Sequence, residues 1–179
     1  MNREKFKQMV HYVCWKCTAD PDKLGAIKLN KILWLADFAH YYQTGHPISG
    51  ARYVRRQFGP VPSAIVPVVR ELVQERSLAY SQVDFLGHDK AEYRALRAPN
   101  MDGFDSEELE QLDSVIDLVC DGHTARSISE ATHDHVWHAA ADGEEIPYYT
   151  IFARPGKITD DELEWAQTVL GQTGDEAYS

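Results

Sequence analysis

The sequence has few cysteines and no long apolar segment. Its 179 residues include three cysteines, so a small disulfide-stapled scaffold is excluded. No apolar run approaches the ~20 residues that span a bilayer, and the charged start MNREKFKQMV lacks the apolar stretch of a signal peptide. Hydrophobic residues make up 44% of the chain and charged residues 26%, which are ordinary globular values. We therefore expect one globular domain over residues 1–179, located in the cytoplasm.

Motifs of nucleotide binding and of common hydrolases are also missing. The sequence contains no GxxxxGK[ST], GxGxxG, GxSxG or HExxH pattern. Serine, histidine and aspartate occur, but no spacing among them marks a catalytic triad. We therefore expect neither an enzymatic activity nor a cofactor.

Basic residues are scarce in the second half of the chain. Residues 1–100 hold 15 Lys and Arg against 9 Asp and Glu, residues 101–179 hold 3 against 19, and the net charge is −10. Overall acidity argues against general nucleic-acid binding, because lysine and arginine supply most of that affinity. The charges either serve solubility, neutralise each other where the two halves pack, or dock a partner of opposite charge.

Apolar periodicity predicts a mostly α fold with a small antiparallel β element. The second helix is apolar nearly all round between Leu29 and Ala39, so we expect it at the centre of the domain. In the third helix Val66, Val69, Leu72 and Val73 fall on one face. Helices are predicted over residues 3–19, 26–44, from the turn after residue 62 to about 77, 105–122, 124–132, 134–141 and 159–171, followed by a frayed tail at 172–179.

Three segments predict extended structure or a turn. Residues 51–58 form a short extended segment, and Gly59-Pro60-Val61-Pro62 is expected to be a rigid turn because its two prolines fix φ. Residues 78–96 predict a β-hairpin that turns at the GHDK sequence. Residues 144–152 are also expected to be extended.

The cysteines admit a chemical and a structural interpretation. Cys14 and Cys17 form a CxxC, but both fall on the apolar stripe of the first helix, which favours core packing over a redox pair. Cys120 is the only other cysteine, so a zinc site would lack ligands.

The histidines His133, His135 and His138 spell HxHxxH, close to a pattern of metallohydrolases. Trp137 stands where that pattern has an aspartate, and no histidine follows His138. We therefore expect no metal site here. A small metal-dependent hydrolase is the least favoured function.

Arg52, Tyr53, Arg55 and Arg56 form a basic and aromatic strip, which we take as the candidate partner-binding site. In an extended segment Arg52 and Arg56 share one face, and Tyr53 and Arg55 the other. The strip either grips phosphates or an acidic protein surface, or pairs with the acidic half of the same chain.

Three segments together resemble the Panacea domain family, the SocA-like antitoxins. They are KLNKILWLAD at 28–37, Tyr53 followed by FGPVP at 58–62, and a third segment with a Thr-His pair, a tryptophan and an IPY triplet between 132 and 148. The resemblance covers about residues 25–150. The family signature residues, to which we assign structural roles, are Lys28, Asn30, Lys31, Trp34, Asp37, Gly59, Pro60, Pro62, His133, Trp137, Pro147 and Tyr148.

The resemblance implies a mostly helical domain without a cofactor, belonging to a two-gene, phage-associated toxin–antitoxin pair. Its implied function is to neutralise a cognate protein toxin by direct binding. The alternative it implies is an adaptor that delivers the toxin to a ClpXP-type protease. A DNA-binding autoregulator is less favoured, because we find no helix-turn-helix with a basic recognition helix. No membrane partner is expected.

Overall fold

The computed structural model describes residues 1–85 and 87–153. These residues form six α-helices and two antiparallel strand pairs, so the mostly α prediction is confirmed. The helix predicted at 159–171 and the tail at 172–179 lie outside the described residues. The helices are α1 (Arg3–Lys16), α2 (Ala26–Thr44), α3 (Ile65–Gln74), α4 (Ser106–Gly122), α5 (Ala125–Ala131) and α6 (His135–Ala139). The strands are β1 (Tyr53–Arg56), β2 (Gly59–Pro62), β3 (Leu78–Phe85) and β4 (His88–Ala95), and 3-10 helices occupy Pro21–Lys23 and Tyr148–Phe152.

Helix α2 lies at the centre of the fold, as its apolar sequence predicts. Leu29, Ile32 and Leu33 are fully buried, and α2 packs against α1, α4, α5 and β2. Gly45 ends the helix with a φ of +78°, where its N–H donates to the Tyr41 carbonyl at 2.8 Å. Within the described part of the chain, no helix is both long enough and apolar enough to cross a membrane.

The prediction of a rigid turn at Gly59–Pro62 is wrong. These residues form strand β2, which pairs antiparallel with β1, and the turn lies at Gln57 and Phe58. Pro60 and Pro62 are two positions apart, so their nitrogens point to the same side of the strand, away from β1. They therefore remove no hydrogen bond from the ladder.

The apolar face of α3 is only partly buried. Val68 and Leu72 are fully buried, whereas Val66 is 55% and Val73 38% exposed. Six apolar side chains within nine residues form one broad face, and periodicity cannot decide which part of that face packs inward. They are Ile65, Val66, Val68, Val69, Leu72 and Val73. The helix ends at Gln74, because the next residues turn the chain into β3 and Arg76 takes a φ of +55°.

Other boundaries shift by a few residues or change type. Helix α1 ends at Lys16, and the Thr18 hydroxyl donates to the Cys14 carbonyl at 2.8 Å. The segment predicted as extended at 144–152 pairs with β1 only near Glu145, and a 3-10 helix follows. The predicted hairpin at 78–96 is confirmed by β3 and β4. Its predicted turn at the GHDK sequence is wrong, because His88, Asp89 and Lys90 belong to β4 and pair with Phe85, Asp84 and Val83.

Helix α4 begins as its sequence predicts, with a capping box. The Asp105 carboxylate accepts from the Glu108 N–H at 2.9 Å, and the Glu108 carboxylate accepts from the Asp105 N–H at 3.1 Å. Ion pairs then join the basic first half to the acidic second half, so packing neutralises part of the charge asymmetry. These pairs are Lys5–Glu108, Lys16–Asp113, Lys23–Asp121, Arg52–Glu145 and Arg56–Asp142.

A buried carboxylate on α2 joins four parts of the chain. Asp37 is fully buried and accepts from the Ser49 N–H at 2.7 Å, the Ser49 hydroxyl at 2.6 Å and the Tyr53 hydroxyl at 2.8 Å. The Tyr148 hydroxyl lies 3.2 Å from the same carboxylate and 2.6 Å from the Ala51 carbonyl. Burial raises the pKa of Asp37, and the four hydrogen bonds act against that rise. Helix α2, the loop before β1, β1 itself and the 3-10 helix at 148–152 therefore share one hydrogen-bond acceptor.

Replacing Asp37 with alanine should destabilise the whole fold. The substitution removes the acceptor of the buried Ser49 N–H and hydroxyl. The hydroxyls of Tyr53 and Tyr148 keep only their backbone carbonyl acceptors. We therefore expect the free energy of unfolding to fall by about 3–5 kcal/mol. Urea denaturation followed by circular dichroism measures it. The control is Glu110→Ala at an exposed position of α4, which should change stability by less than about 0.5 kcal/mol. Equal effects of the two substitutions would contradict this role of Asp37.

Candidate functional site

The signature residues gather around the β1–β2 hairpin. Asp37 and Tyr148 hold the start of β1, as described above, and Pro60 and Pro62 form part of β2. Trp34 is buried and its ring contacts that of Phe38, whose ring also contacts Tyr148. Many of the signature residues therefore serve to attach this hairpin to α2.

Trp137 of α6 attaches the other end of the hairpin. Its indole N–H donates to the Arg56 carbonyl at 3.1 Å, and the Arg55 guanidinium carbon lies 4.2 Å from the centre of its ring. His133 stacks on the same tryptophan with ring centres 3.8 Å apart. Burial, and then the nearby charge of Lys31, lower the pKa of His133. A histidine packed on Trp137 agrees with the structural role that we assign to both residues.

The basic strip is largely engaged within the chain. The guanidinium of Arg52 lies 2.7 Å from the Glu145 carboxylate and that of Arg56 lies 3.1 Å from Asp142. The predicted alternation of faces holds, with Arg52 and Arg56 exposed and Arg55 half-buried. Tyr53 is only 1% exposed, so it lies in the core and not on a surface that a partner could reach.

Lys31 is a signature residue with a buried charged group. It is 1% exposed, and its ammonium has no hydrogen-bond partner among the described residues. The side-chain oxygen of Asn30 and the indole N–H of Trp34, two further signature residues, also lack a partner there. Burial lowers the pKa of Lys31 to about 7. The Nζ atom lies against Gly59, which has a φ of +107°, at a place where an added Cβ would be only 1.5 Å away. A side chain that costs stability in this way is a candidate for a role other than packing.

A pocket of about 360 Å³ opens beside Lys31. We call it the hairpin pocket; its wall includes Asn30, Lys31, Arg56, Phe58 and Pro60. The Asn30 side-chain oxygen is buried without a partner among the described residues, whereas Phe58 is 53% exposed at the turn of the hairpin. Ser129 of α5 fixes that turn by donating to the Phe58 carbonyl at 3.0 Å.

A larger groove of about 700 Å³ continues from the hairpin pocket, and both share Asn30 in their walls. We call it the α3 groove. One side is the exposed face of α3 and the other is the β3–β4 hairpin, where Tyr80 is 46% exposed. Arg70, Gln74, Gln82 and Asp89 give it a polar rim. Its apolar wall is formed by Val61, Ile65, Val66, Val69, Val73, Tyr80, Ala91 and Tyr93.

The histidine motif and the three cysteines are the candidate metal ligands of the sequence. No group of three or more His, Cys, Asp or Glu side chains within residues 1–85 and 87–153 is placed to hold a metal ion. Cys14 and Cys17 are both buried in the core around α1, where the sequence placed them. Cys17 contacts Cys120 of α4 instead of Cys14.

Comparison with known proteins gives one match. A family model described as antitoxin SocA-like, Panacea domain, matches residues 29–138, which is more than half of the chain. The chain belongs to the SocA-like antitoxin family. No curated protein and no solved structure matches it. Of the signature residues of this Panacea domain, Lys28, Pro147 and Tyr148 lie outside the matched range.

Sequence reasoning missed the exposed half of the Panacea domain's apolar surface. From the sequence, Val66 and Val73 fall on the same face as Val69 and Leu72, and Tyr80 serves only as a sign of a strand. The breadth of the apolar face of α3 is the available signal, since a helix of ten residues with one buried face needs no apolar residue at Val66. Ser49 gave no signal, because its role depends on a contact with α2.

Replacing Lys31 with methionine should remove a pH dependence of stability. Between about pH 7 and pH 10 the unfolded chain holds the Lys31 proton and the folded chain does not, so the stability of the wild type rises with pH across that range. Lys31→Met keeps the length of the side chain and does not titrate. We expect the variant to be about 1–3 kcal/mol more stable than the wild type at pH 7. Its free energy of unfolding should also lack the increase with pH that the titration of Lys31 causes, as measured by urea denaturation at several pH values. An unchanged pH profile would contradict the burial of an unpaired lysine.

Substitution of Gly59 should be more harmful than substitution of another glycine with positive φ. Gly59→Ala adds backbone strain and a clash with the Lys31 ammonium, and we expect a loss of about 3 kcal/mol or more. Gly87 has a φ of +80° and no atom within 4 Å of an added Cβ, so Gly87→Ala measures the strain alone. Removing the clash with the double variant Lys31→Ala and Gly59→Ala should recover part of the difference. Equal melting temperatures for the two single variants would refute the contact.

Proposed function

We propose that this Panacea domain neutralises a cognate protein toxin by binding it through the α3 groove, without an enzymatic step. Family membership supports an antitoxin-like role. We choose the α3 groove as the binding surface because of one observation, the exposed apolar part of α3 opposite Tyr80. Soluble proteins rarely expose a contiguous apolar patch with a polar rim unless another molecule covers it.

The groove has the composition of a protein interface. Tyrosine and arginine are enriched among the residues that carry binding energy, and Tyr80 and Arg70 stand on opposite sides of the apolar floor. The strand pair and α3 are packed on the core through Leu72, Leu78 and Tyr93, so the surface is preformed. When a partner buries an apolar helix or strand in the groove, this chain therefore loses little conformational entropy.

Arg52 and Arg56 form the second candidate surface. They are exposed, but each already pairs with a carboxylate of the same chain. A partner would have to exchange those ion pairs for its own, with a small net gain in water. We therefore place the main contact in the α3 groove and assign the basic strip to its periphery.

The groove is tested by adding one charge on α3. Val66 is in the first turn of the helix, where an acidic residue interacts favourably with the helix dipole, so Val66→Asp should keep the fold. We expect at least about tenfold weaker binding to the toxin encoded by the neighbouring gene, with loss of co-purification and of growth rescue on co-expression.

The matched control is Leu118→Asp, which adds the same charge at an aliphatic residue of α4 that is 53% exposed. It should neutralise the toxin like the wild type. Thermal melting confirms that both variants are folded. Wild-type neutralisation by Val66→Asp, or an equal loss in the control, would refute the groove. Toxin levels measured in the same cells distinguish masking, in which they stay constant, from delivery to a protease, in which they fall.

A further inference from the structure

Two cysteines that are distant in sequence meet where α1 ends and α4 approaches its last turn. The sulfur atoms of Cys17 and Cys120 are 3.6 Å apart, and the residues are 103 positions apart in the chain. Cys120 is half-buried and reachable by a small molecule, whereas Cys17 is 7% exposed behind it. Cys14 is fully buried one turn earlier on α1. The half-buried thiol of Cys120 and the buried thiol of Cys17 thus face each other across a contact between α1 and α4.

The surroundings give the two thiols different roles. The Cys17 S–H is placed to donate to the Cys120 sulfur, and this hydrogen bond together with the nearby Lys28 ammonium lowers the pKa of Cys120. The Lys28 ammonium also donates to the Cys120 carbonyl at 3.2 Å. The negative charge of Asp121 acts in the opposite direction, but Lys23 pairs with it at 2.7 Å. Cys120 is therefore the thiol that reacts first.

Cys17 and Cys14 keep their protons more strongly. The contact with Cys120 and burial raise the pKa of Cys17, and burial alone raises that of Cys14. The Cys17 sulfur is thus suited to attack the Cys120 sulfur only after Cys120 has been oxidised. Cys14 is close enough to Cys17 to raise the pKa of that thiol further, but Cys14 itself is fully buried and so shielded from reagents.

We propose that Cys17 and Cys120 form a reversible disulfide when the protein meets a hydroperoxide. The Cys120 thiolate attacks one peroxide oxygen, the O–O bond breaks, and a sulfenic acid and hydroxide form. The Cys17 sulfur then attacks the Cys120 sulfur, loses its proton and displaces water, so two thiols and one hydrogen peroxide give one disulfide and two waters. A dithiol reductant reverses the reaction by exchange.

The cross-link ties the end of α1 to α4, the first element of the acidic half. The sulfurs need to close from contact distance to a bond length of about 2.0 Å, which requires a small shift of the two side chains. Because the link closes a loop of about a hundred residues, it restricts the unfolded chain strongly, and we expect Tm to rise by about 5 °C or more.

The test treats the full chain with a small excess of hydrogen peroxide and measures intact mass and a peptide map without reductant. The wild type should lose two hydrogen atoms in mass and yield a Cys17–Cys120 peptide, and dithiothreitol should restore the mass and Tm. Cys14→Ser should behave in the same way. Cys17→Ser should give a Cys120 sulfenic acid that dimedone traps, and Cys120→Ser should give neither product.

The proposal is overturned if the treated wild type keeps its mass, if its disulfide contains Cys14 or joins two chains, or if Cys120 passes directly to the sulfinic acid. Because the wild type carries the decisive measurement, misfolding of a variant does not affect the conclusion. Toxin binding plays no part in the readout, so the result is independent of the proposed function.

Discussion

The buried carboxylate of Asp37 fixes three separate segments of the chain to α2. It accepts hydrogen bonds from the loop before β1, from β1 and from the 3-10 helix at 148–152. With β1 held there, β2 lies along it and Gly59 closes over Lys31. The position of α3, which follows β2 directly, and hence of the α3 groove, is set by the same anchor.

Helices with one clear apolar stripe or a strong capping signal were predictable from sequence. Asp105 marks the start of α4 and Gly45 the end of α2, because a helix cap depends only on residues close to it in the sequence. The burial of Tyr53 and the engagement of Arg56 by Asp142 were not predictable, since both depend on residues far away in the chain. Strand β2 was missed because a proline-rich segment indicates a turn unless its neighbour strand is known.

The family signature and the proposed binding surface are largely different parts of the molecule and share Asn30, which lies in the wall of the α3 groove. The signature residues lie mainly beneath the β1–β2 hairpin and at its attachment to α6, where Trp137 holds it. The α3 groove carries Val66, Val73 and Tyr80, none of which belongs to the signature. A scaffold fixed by the signature residues thus carries a proposed binding surface that is built mostly from other residues. Lys31 lies between the signature residues under the hairpin and the α3 groove, in the wall of the hairpin pocket.

The most direct measurement is hydrogen–deuterium exchange of this chain, alone and in complex with its toxin. Binding through the α3 groove should slow exchange of the backbone amides of α3 and of the outer part of β3, while the exposed face of α4 stays unchanged. Protection confined to α4 or to the basic strip, with α3 exchanging as in the free protein, would contradict the assignment of function to this groove.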